Sequence, residues 1–215
     1  MGKYLDMKNK KCIVFDVDGT ICDTKNGIIK ALNYVLNMYG KSFISHDNED
    51  LYIGPSIKES LMKYQGFDEI VATEATALYR KIYVEKFVEE YTPYEEIEKV
   101  FQKLIRKGYV LGIATMKTFP QVERILCLSG FLSYFEEIKA ARENGSLLKS
   151  QMLIDIKRKY NFIRDFYMVG DTYGDYKASL EAGYKFIAAD YGYGNIDNLR
   201  SFHVGKPKDI LNIFC

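Results

Sequence analysis

From Thr92 onward the chain alternates short apolar runs with amphipathic segments of ten or more residues, and this alternation narrows the choice of fold most. The runs are residues 109–114 (YVLGIA), 137–140, 166–169 (FYMV) and 185–189. Apolar spacing at three to four residues predicts helices over 94–107, 120–129, 149–160 and 173–182, with a last helix from Lys208. Strands joined by helical crossovers of this length pair in parallel, and the helices cover both faces of the sheet. An earlier run, residues 12–15 (CIVF), supplies the first strand and ends in the turn Asp16-Val17-Asp18-Gly19-Thr20.

Between that strand and Thr92 the pattern is helical. Ile28, Leu32, Val35 and Leu36 mark a helix over 24–39 that Gly40 closes; further helices are predicted over 57–64, stopped by Gly66, and over 68–90. No strand is expected from 22 to 90. The predicted architecture is an α/β core of residues 1–20 and 92–215, a parallel sheet covered on both faces, with an all-helical cap of residues 21–91 inserted after the first strand. With 215 residues, 47% of them hydrophobic, the chain has the material for such a core. Thirty Lys and Arg against 29 Asp and Glu leave a net charge of +1, which recommends neither nucleic acid nor an anionic membrane as partner. No window resembles a membrane span or a signal peptide. Cys12, Cys22, Cys127 and Cys215 share no metal or disulfide spacing, so reduced thiols in a cytoplasmic protein are expected. His46 and His203 share no spacing with other ligands and are read as structural or solvated. Oligomeric state is not legible in the sequence.

In doubly wound sheets ligands bind beyond the carboxyl ends of the strands, so the residues following each strand are the candidates for chemistry. Asp16 and Asp18 sit two apart in one tight turn, where like charges repel unless a cation or shared proton intervenes. Gly170-Asp171-Thr172-Tyr173-Gly174-Asp175 repeats the theme after FYMV. Each turn alone also reads as an acidic cap on the next helix. Together they bring three or four carboxylates to one cleft, at a cost of several kcal/mol without a divalent cation. Mg²⁺ suits such a set, being a hard ion content with a few carboxylate or carbonyl oxygens, waters and a substrate phosphate. Thr115, after YVLGIA, offers a hydroxyl or a helix cap. Lys149 opens a helix against the macrodipole preference, as a site cation or as a solvated lysine.

FDVDGT, a Thr after the second core strand, a Lys opening a later helix, and GDTYGD, in that order, resemble the haloacid dehalogenase superfamily. The stretch YIGPSIKESL, the Ala182-Gly183 turn and Asp190-Tyr191-Gly192-Tyr193-Gly194 are similar to its phosphoglycolate phosphatase-like branch, whose Rossmann-like core carries a helical cap. The resemblance spans residues 11–213 and implies a Mg²⁺-dependent phosphatase. It makes Asp16 the nucleophile and a metal ligand, and Asp18 the acid/base that also lends a backbone carbonyl to the metal. Thr115 and Lys149 hold the phosphoryl oxygens, with Gly19 and Thr20 in the substrate-binding turn. Asp171 is the further metal carboxylate, and Asp175 belongs to the metal set or fixes a water or Lys149 behind it. An Asp at position 18 favours phosphoryl transfer over dehalogenation, because a leaving alkoxide needs a proton. Met116 departs from the small or amide residue common after Thr115, and Thr92-Pro93-Tyr94-Glu95-Glu96 lacks the Pro-Gly pair often found entering the core.

The implied substrate is a small phosphomonoester, phosphoglycolate-like or nucleotide-like, selected by cap closure. Tyr52, Ile53, Gly54, Pro55 and Lys58 are expected to face it, Tyr52 and Ile53 having cap packing as the alternative. A mutase like β-phosphoglucomutase, handing the same aspartyl-phosphate to a sugar hydroxyl, is the nearest rival. A non-catalytic phospho-acceptor is the more distant one, and the long insertion after the first strand argues against it.

Overall fold

The computed structural model describes residues 10–54, 56–142 and 147–214; of the predicted substrate-facing stretch, Pro55 lies outside them, as does Cys215. The first strand, β1 (Lys11–Phe15), has four consecutive buried residues, as expected of a central parallel strand. Its side chains alternate between two cores. Cys12 and Val14 join Met152, Leu153 and Ile156 on one face. Ile13 and Phe15 join Val100, Phe101 and Ile125 on the other.

Next along the chain come β2 (Cys22–Asp23), α1 (Lys25–Met38), α2 (Ile57–Gln65) and α3 (Glu69–Ile82). After them come β3 (Thr92–Pro93), α4 (Ile97–Arg106), β4 (Val110–Thr118), α5 (Phe119–Leu128) and β5 (Glu137–Ala141). The rest is α6 (Lys149–Lys159), β6 (Asp165–Gly170), α7 (Tyr173–Ala182), β7 (Lys185–Ala189), β8 (Phe202–Val204) and α8 (Ile210–Phe214). Six strands form one sheet in the order β5-β4-β1-β6-β7-β8, all parallel. The fold is α/β and Rossmann-like. Because β4 and β6 flank β1 on opposite sides, the strand order reverses at the end of β1, where such sheets open a binding crevice.

Several local expectations needed correction. Cys22–Asp23 pairs antiparallel with Thr92–Pro93, so a strand does occur where only helix and loop were expected. Two residues are too few for alternation to register in a sequence. The three-residue β8, with its exposed, exposed, buried pattern, escaped notice for the same reason. The helix expected over 68–90 is α-helical only to Ile82 and continues as a π-helical segment, Tyr83–Phe87. That widened turn fully buries Tyr83. α4 starts three residues late because Glu96 adopts a left-handed φ of 65°. β4 runs on to Thr118 through an irregularity between Thr115 and Thr118.

The helices α2 and α3 owe their starts to local signals. Ser56 accepts a hydrogen bond from the Glu59 amide at 3.2 Å, and Asp68 accepts from the Val71 amide at 2.9 Å. No helix among the described residues is long and apolar enough to cross a membrane.

Candidate active site

Asp16 stands at the carboxyl end of β1, its amide donating to Val169 O at 2.9 Å, so the β1–β6 ladder runs up to the first acidic residue. The chain then doubles back, with the Ile21 and Cys22 amides both donating to Val17 O. Gly19, at φ 70°, allows the turn to press on the second acidic loop: a Cβ there would lie 2.0 Å from Asp171 Oδ2. Thr20 Oγ1 donates to Asp171 Oδ1 at 3.2 Å. Gly19 and Thr20 therefore meet a carboxylate that lies about 150 residues further along the chain.

Asp16, Asp171 and Asp175 are all buried, and one carboxylate oxygen of each lies within 4.8 Å of the others. Burial pushes the Asp16 carboxyl up to about 7, with Asp175 and Asp18 adding to the rise and Lys149 opposing it. Burial, then Asp175 and Asp16, hold Asp171 well above the usual carboxylate range. Asp16 Oδ1 is buried without a hydrogen-bond partner. An orphaned oxygen inside a cluster of mutually repelling carboxylates is what a divalent cation relieves, and Mg²⁺ fits this all-oxygen set. Asp175 is already engaged through both oxygens. Oδ2 accepts from the Thr172 amide at 3.1 Å and the Thr172 hydroxyl at 2.6 Å, and Oδ1 faces Lys149.

The Lys149 side chain is 10% exposed, with Nζ 3.1 Å from Asp16 Oδ2 and paired closely with Asp175 Oδ1. Burial alone would lower its pKa, but the Asp16 and Asp175 carboxylates prevail and raise it, so the ammonium stays charged. Thr115 is fully buried and accepts from the Lys117 amide through Oγ1 at 3.2 Å. Since Phe15 pairs with Ile113, Thr115 lies just beyond the end of β1.

Sequence reasoning passed over Lys117. It is only 4% exposed, with Nζ 3.0 Å from Asp18 Oδ1 and 3.1 Å from Tyr83 Oη, and it sits 4.2 Å over the Tyr83 ring. The hydroxyl of Thr24 donates to the same Asp18 oxygen. Period-two alternation already puts Lys117 on the face of Thr115, and that was the available signal. Its buried partner Tyr83 comes from the π-helical segment, which no local pattern announces.

Asp16, Asp18, Lys117 and Lys149 line a cavity of about 390 Å³ whose other walls include Tyr52, Ile53 and Gly54. Tyr52 lines the cavity and is packed to 3% exposure, its hydroxyl accepting from Gln65 at 2.6 Å. Lys58 lines the cavity too, but its ammonium is paired with Glu69 at 2.9 Å. Met116, 44% exposed, forms part of the wall, as does Arg80.

The sequence model of the haloacid dehalogenase-like hydrolases matches residues 13–189. The chain belongs to this family. A phosphoglycolate phosphatase of Aquifex aeolicus is 28% identical over 211 residues, covering 94% of this chain and 96% of its own. A 5′-nucleotidase of Pseudomonas aeruginosa is 27% identical over 191 residues, covering 88% and 86%. Among solved structures, one titled a predicted phosphatase from Clostridium acetobutylicum superposes with a TM-score of 0.87 at 27% identity, covering 95% of this chain and 98% of that one. This haloacid dehalogenase-like hydrolase is thus an enzyme of the phosphatase kind.

The loop after β7 is closed in this hydrolase by His203, which joins two of its ends. Nδ1 lies 2.9 Å from Asp190 Oδ1 and Nε2 lies 2.9 Å from Leu199 O. A carbonyl and a carboxylate both accept, which favours the imidazolium and raises its pKa, Leu199 O first and Asp190 second. A raised histidine pKa contributes stability that is complete below its ordinary value near 6.5 and is lost as pH rises through the raised one. The melting-temperature gap between wild type and His203→Gln is therefore expected to shrink from pH 6 to pH 9. A gap that stays constant across thermal scans in that range would remove the imidazolium from the loop.

Proposed function

We propose that this hydrolase cleaves small phosphomonoesters in a Mg²⁺-dependent reaction through an aspartyl-phosphate on Asp16. The observation that carries the reading is the state of the Asp16 carboxylate. Oδ2 is held by Lys149, Oδ1 is buried and unpartnered, and a second carboxylate follows two residues on. In the first step a carboxylate oxygen of Asp16 attacks phosphorus, the ester P–O bond breaks, and Asp18 gives its proton to the departing oxygen. In the second, Asp18 takes a proton from water, which attacks the phosphoryl group and frees Asp16 and inorganic phosphate. Lys149 and Thr115 offset charge on the phosphoryl oxygens. Asp16, the Asp18 carbonyl and Asp171 would hold the cation, and Asp175 would fix Lys149 from behind. Bound there, Mg²⁺ supplies charge neutralisation and keeps Asp16 ionised where burial otherwise favours its protonated form.

The residues between β2 and β3 act as the cap and set the leaving group. A cavity of about 390 Å³ is roomier than a two-carbon phosphate needs, so a nucleoside monophosphate or a sugar phosphate is the better fit. Cys12 and Cys22, buried and free, suit a reducing cytoplasm.

The test is phosphate release from a panel of monoesters by the metal-loaded protein. Nucleoside 5′-monophosphates are expected to exceed phosphoglycolate in kcat/KM. Excess chelator should lower turnover at least about 10²-fold, and Mg²⁺ should restore it. Full turnover in chelator would defeat the metal requirement. Transfer of the phosphoryl group to an added sugar in place of water would favour the mutase-like alternative.

A further inference from the structure

The loop leaving β7, Asp190-Tyr191-Gly192-Tyr193-Gly194, touches the two halves of the site from one residue. Its backbone lies against both acidic turns: a Cβ on Gly192 would fall 2.2 Å from Asp171 Cβ and 2.4 Å from Gly19 O. From there the Tyr193 amide donates to Asp171 Oδ2 at 2.9 Å.

The side chain of the same residue points to the other structure that borders the site, the hinge where β2 passes into α1. Tyr193 Oη donates to Asp23 Oδ1 at 2.7 Å and accepts from the amides of Thr24 at 2.6 Å and Lys25 at 3.0 Å. The first amides of a helix lack partners within it and are ordinarily capped by the preceding side chain. Thr24 precedes α1 but makes no such cap, because its hydroxyl is turned to Asp18. The phenol of Tyr193 instead holds the two amides that open the helix, sharing that of Lys25 with Asp23 Oδ1 at 3.1 Å. Beside it Tyr191 donates to Thr20 O at 2.9 Å and meets the ring of Tyr94, just past β3, with 4.8 Å between centroids. Both strands of the hinge ribbon thus rest on this loop.

We propose that Tyr193 is a positioning residue that couples the hinge of the helical insertion to the Asp171 carboxylate, so that cation loading and seating of α1 stabilise each other. The inference rests on the reading of Asp171 as a metal carboxylate. A shift of Asp171 toward a cation pulls on the Tyr193 amide, and the rigid ring transmits it to the first amides of α1. Coupling of two equilibria is reciprocal, so whatever the cation does to the hinge, the hinge does to cation affinity.

Hydrogen exchange of the peptide covering residues 23–29, measured with and without Mg²⁺ in the absence of substrate, tests this directly. In the wild type Mg²⁺ is expected to slow exchange at least about 5-fold, the lower end of ordinary coupling between sites. Tyr193→Phe keeps the ring and the amide bond to Asp171 but removes the phenol. In that variant the peptide is expected to exchange fast whether or not Mg²⁺ is present. Calorimetry should still detect Mg²⁺ binding, weakened by no more than the same factor. A hinge in the wild type that is indifferent to bound Mg²⁺ overturns the coupling alone. Persistence of the Mg²⁺ effect in Tyr193→Phe overturns it equally. Failure of the wild type to bind Mg²⁺ by calorimetry removes the metal-site reading, and the coupling with it.

Discussion

Replacing Asp16 by Asn is expected to lower kcat by at least about 10³-fold, because the variant keeps the shape of the side chain but lacks the attacking oxygen anion. The same substitution has an expected signature in stability that a merely damaged fold does not produce. Burial lifts the Asp16 pKa to about 7, so the folded protein holds that proton more tightly than the unfolded chain does. A carboxyl raised in this way contributes stability below its unfolded value near 4 and loses it as pH rises through its folded value. Metal-free Asp16→Asn should therefore melt at or above the wild type at pH 8, where the native residue is a buried anion beside Asp175 and Asp171. The gain in melting temperature that Mg²⁺ gives the wild type should shrink or vanish in the variant. Steady-state kinetics and thermal scans with and without Mg²⁺ check both arms. A variant that keeps a tenth of the wild-type kcat would falsify the assignment of Asp16 as nucleophile.

Lys117→Met should lower kcat about 10²-fold while moving KM for an aryl phosphate less than about 3-fold, the size of effect a displaced acid/base group produces. The ammonium holds Asp18 from 3.0 Å, wedged against the Tyr83 ring and hydroxyl. Met preserves the length and most of the volume of the side chain, so packing is largely kept. What is lost is the charge that keeps Asp18 pointing into the cavity. Lys117→Arg should not rescue, because a planar guanidinium does not fit over that ring and beside that oxygen in so enclosed a site. Lys58→Met is the control on the same cavity; its ammonium faces Glu69, and kcat on an aryl phosphate should stay within about 2-fold. If Lys117→Met and Lys58→Met behave alike, Lys117 has no part in setting Asp18.

Much of this site was legible before any coordinates, for a local reason. A parallel strand buried on both faces shows as a continuous apolar run, and the chemistry of such a fold sits in the few residues after each run. Asp16, Asp18, Thr115 and Asp171 stand out in that way, and the mutual repulsion of the three carboxylates argues for a divalent cation. Asp175 stands out as the second carboxylate of the GDTYGD turn, and Lys149 as a cation opening a helix against the macrodipole preference. The alternation after Thr92 likewise implied a parallel sheet, since parallel strands need crossovers of about this length.

Other features depend on distant parts of the chain. Alternation puts Lys117 on the face of Thr115, but its partner Tyr83 reaches it on a π-helical turn from 34 positions earlier in the chain. Thr20 meets Asp171 across 151 positions, and Tyr193 meets Thr24 across 169. The strands β2, β3 and β8 are too short for alternation to distinguish from loop. Residue pattern determined which side chains face inward and which turns carry charge, because those depend on period and on chemistry within a few residues. Tertiary structure alone decided which charges meet, because strand order places β4 and β6 on either side of β1 and so brings together turns that the chain keeps far apart.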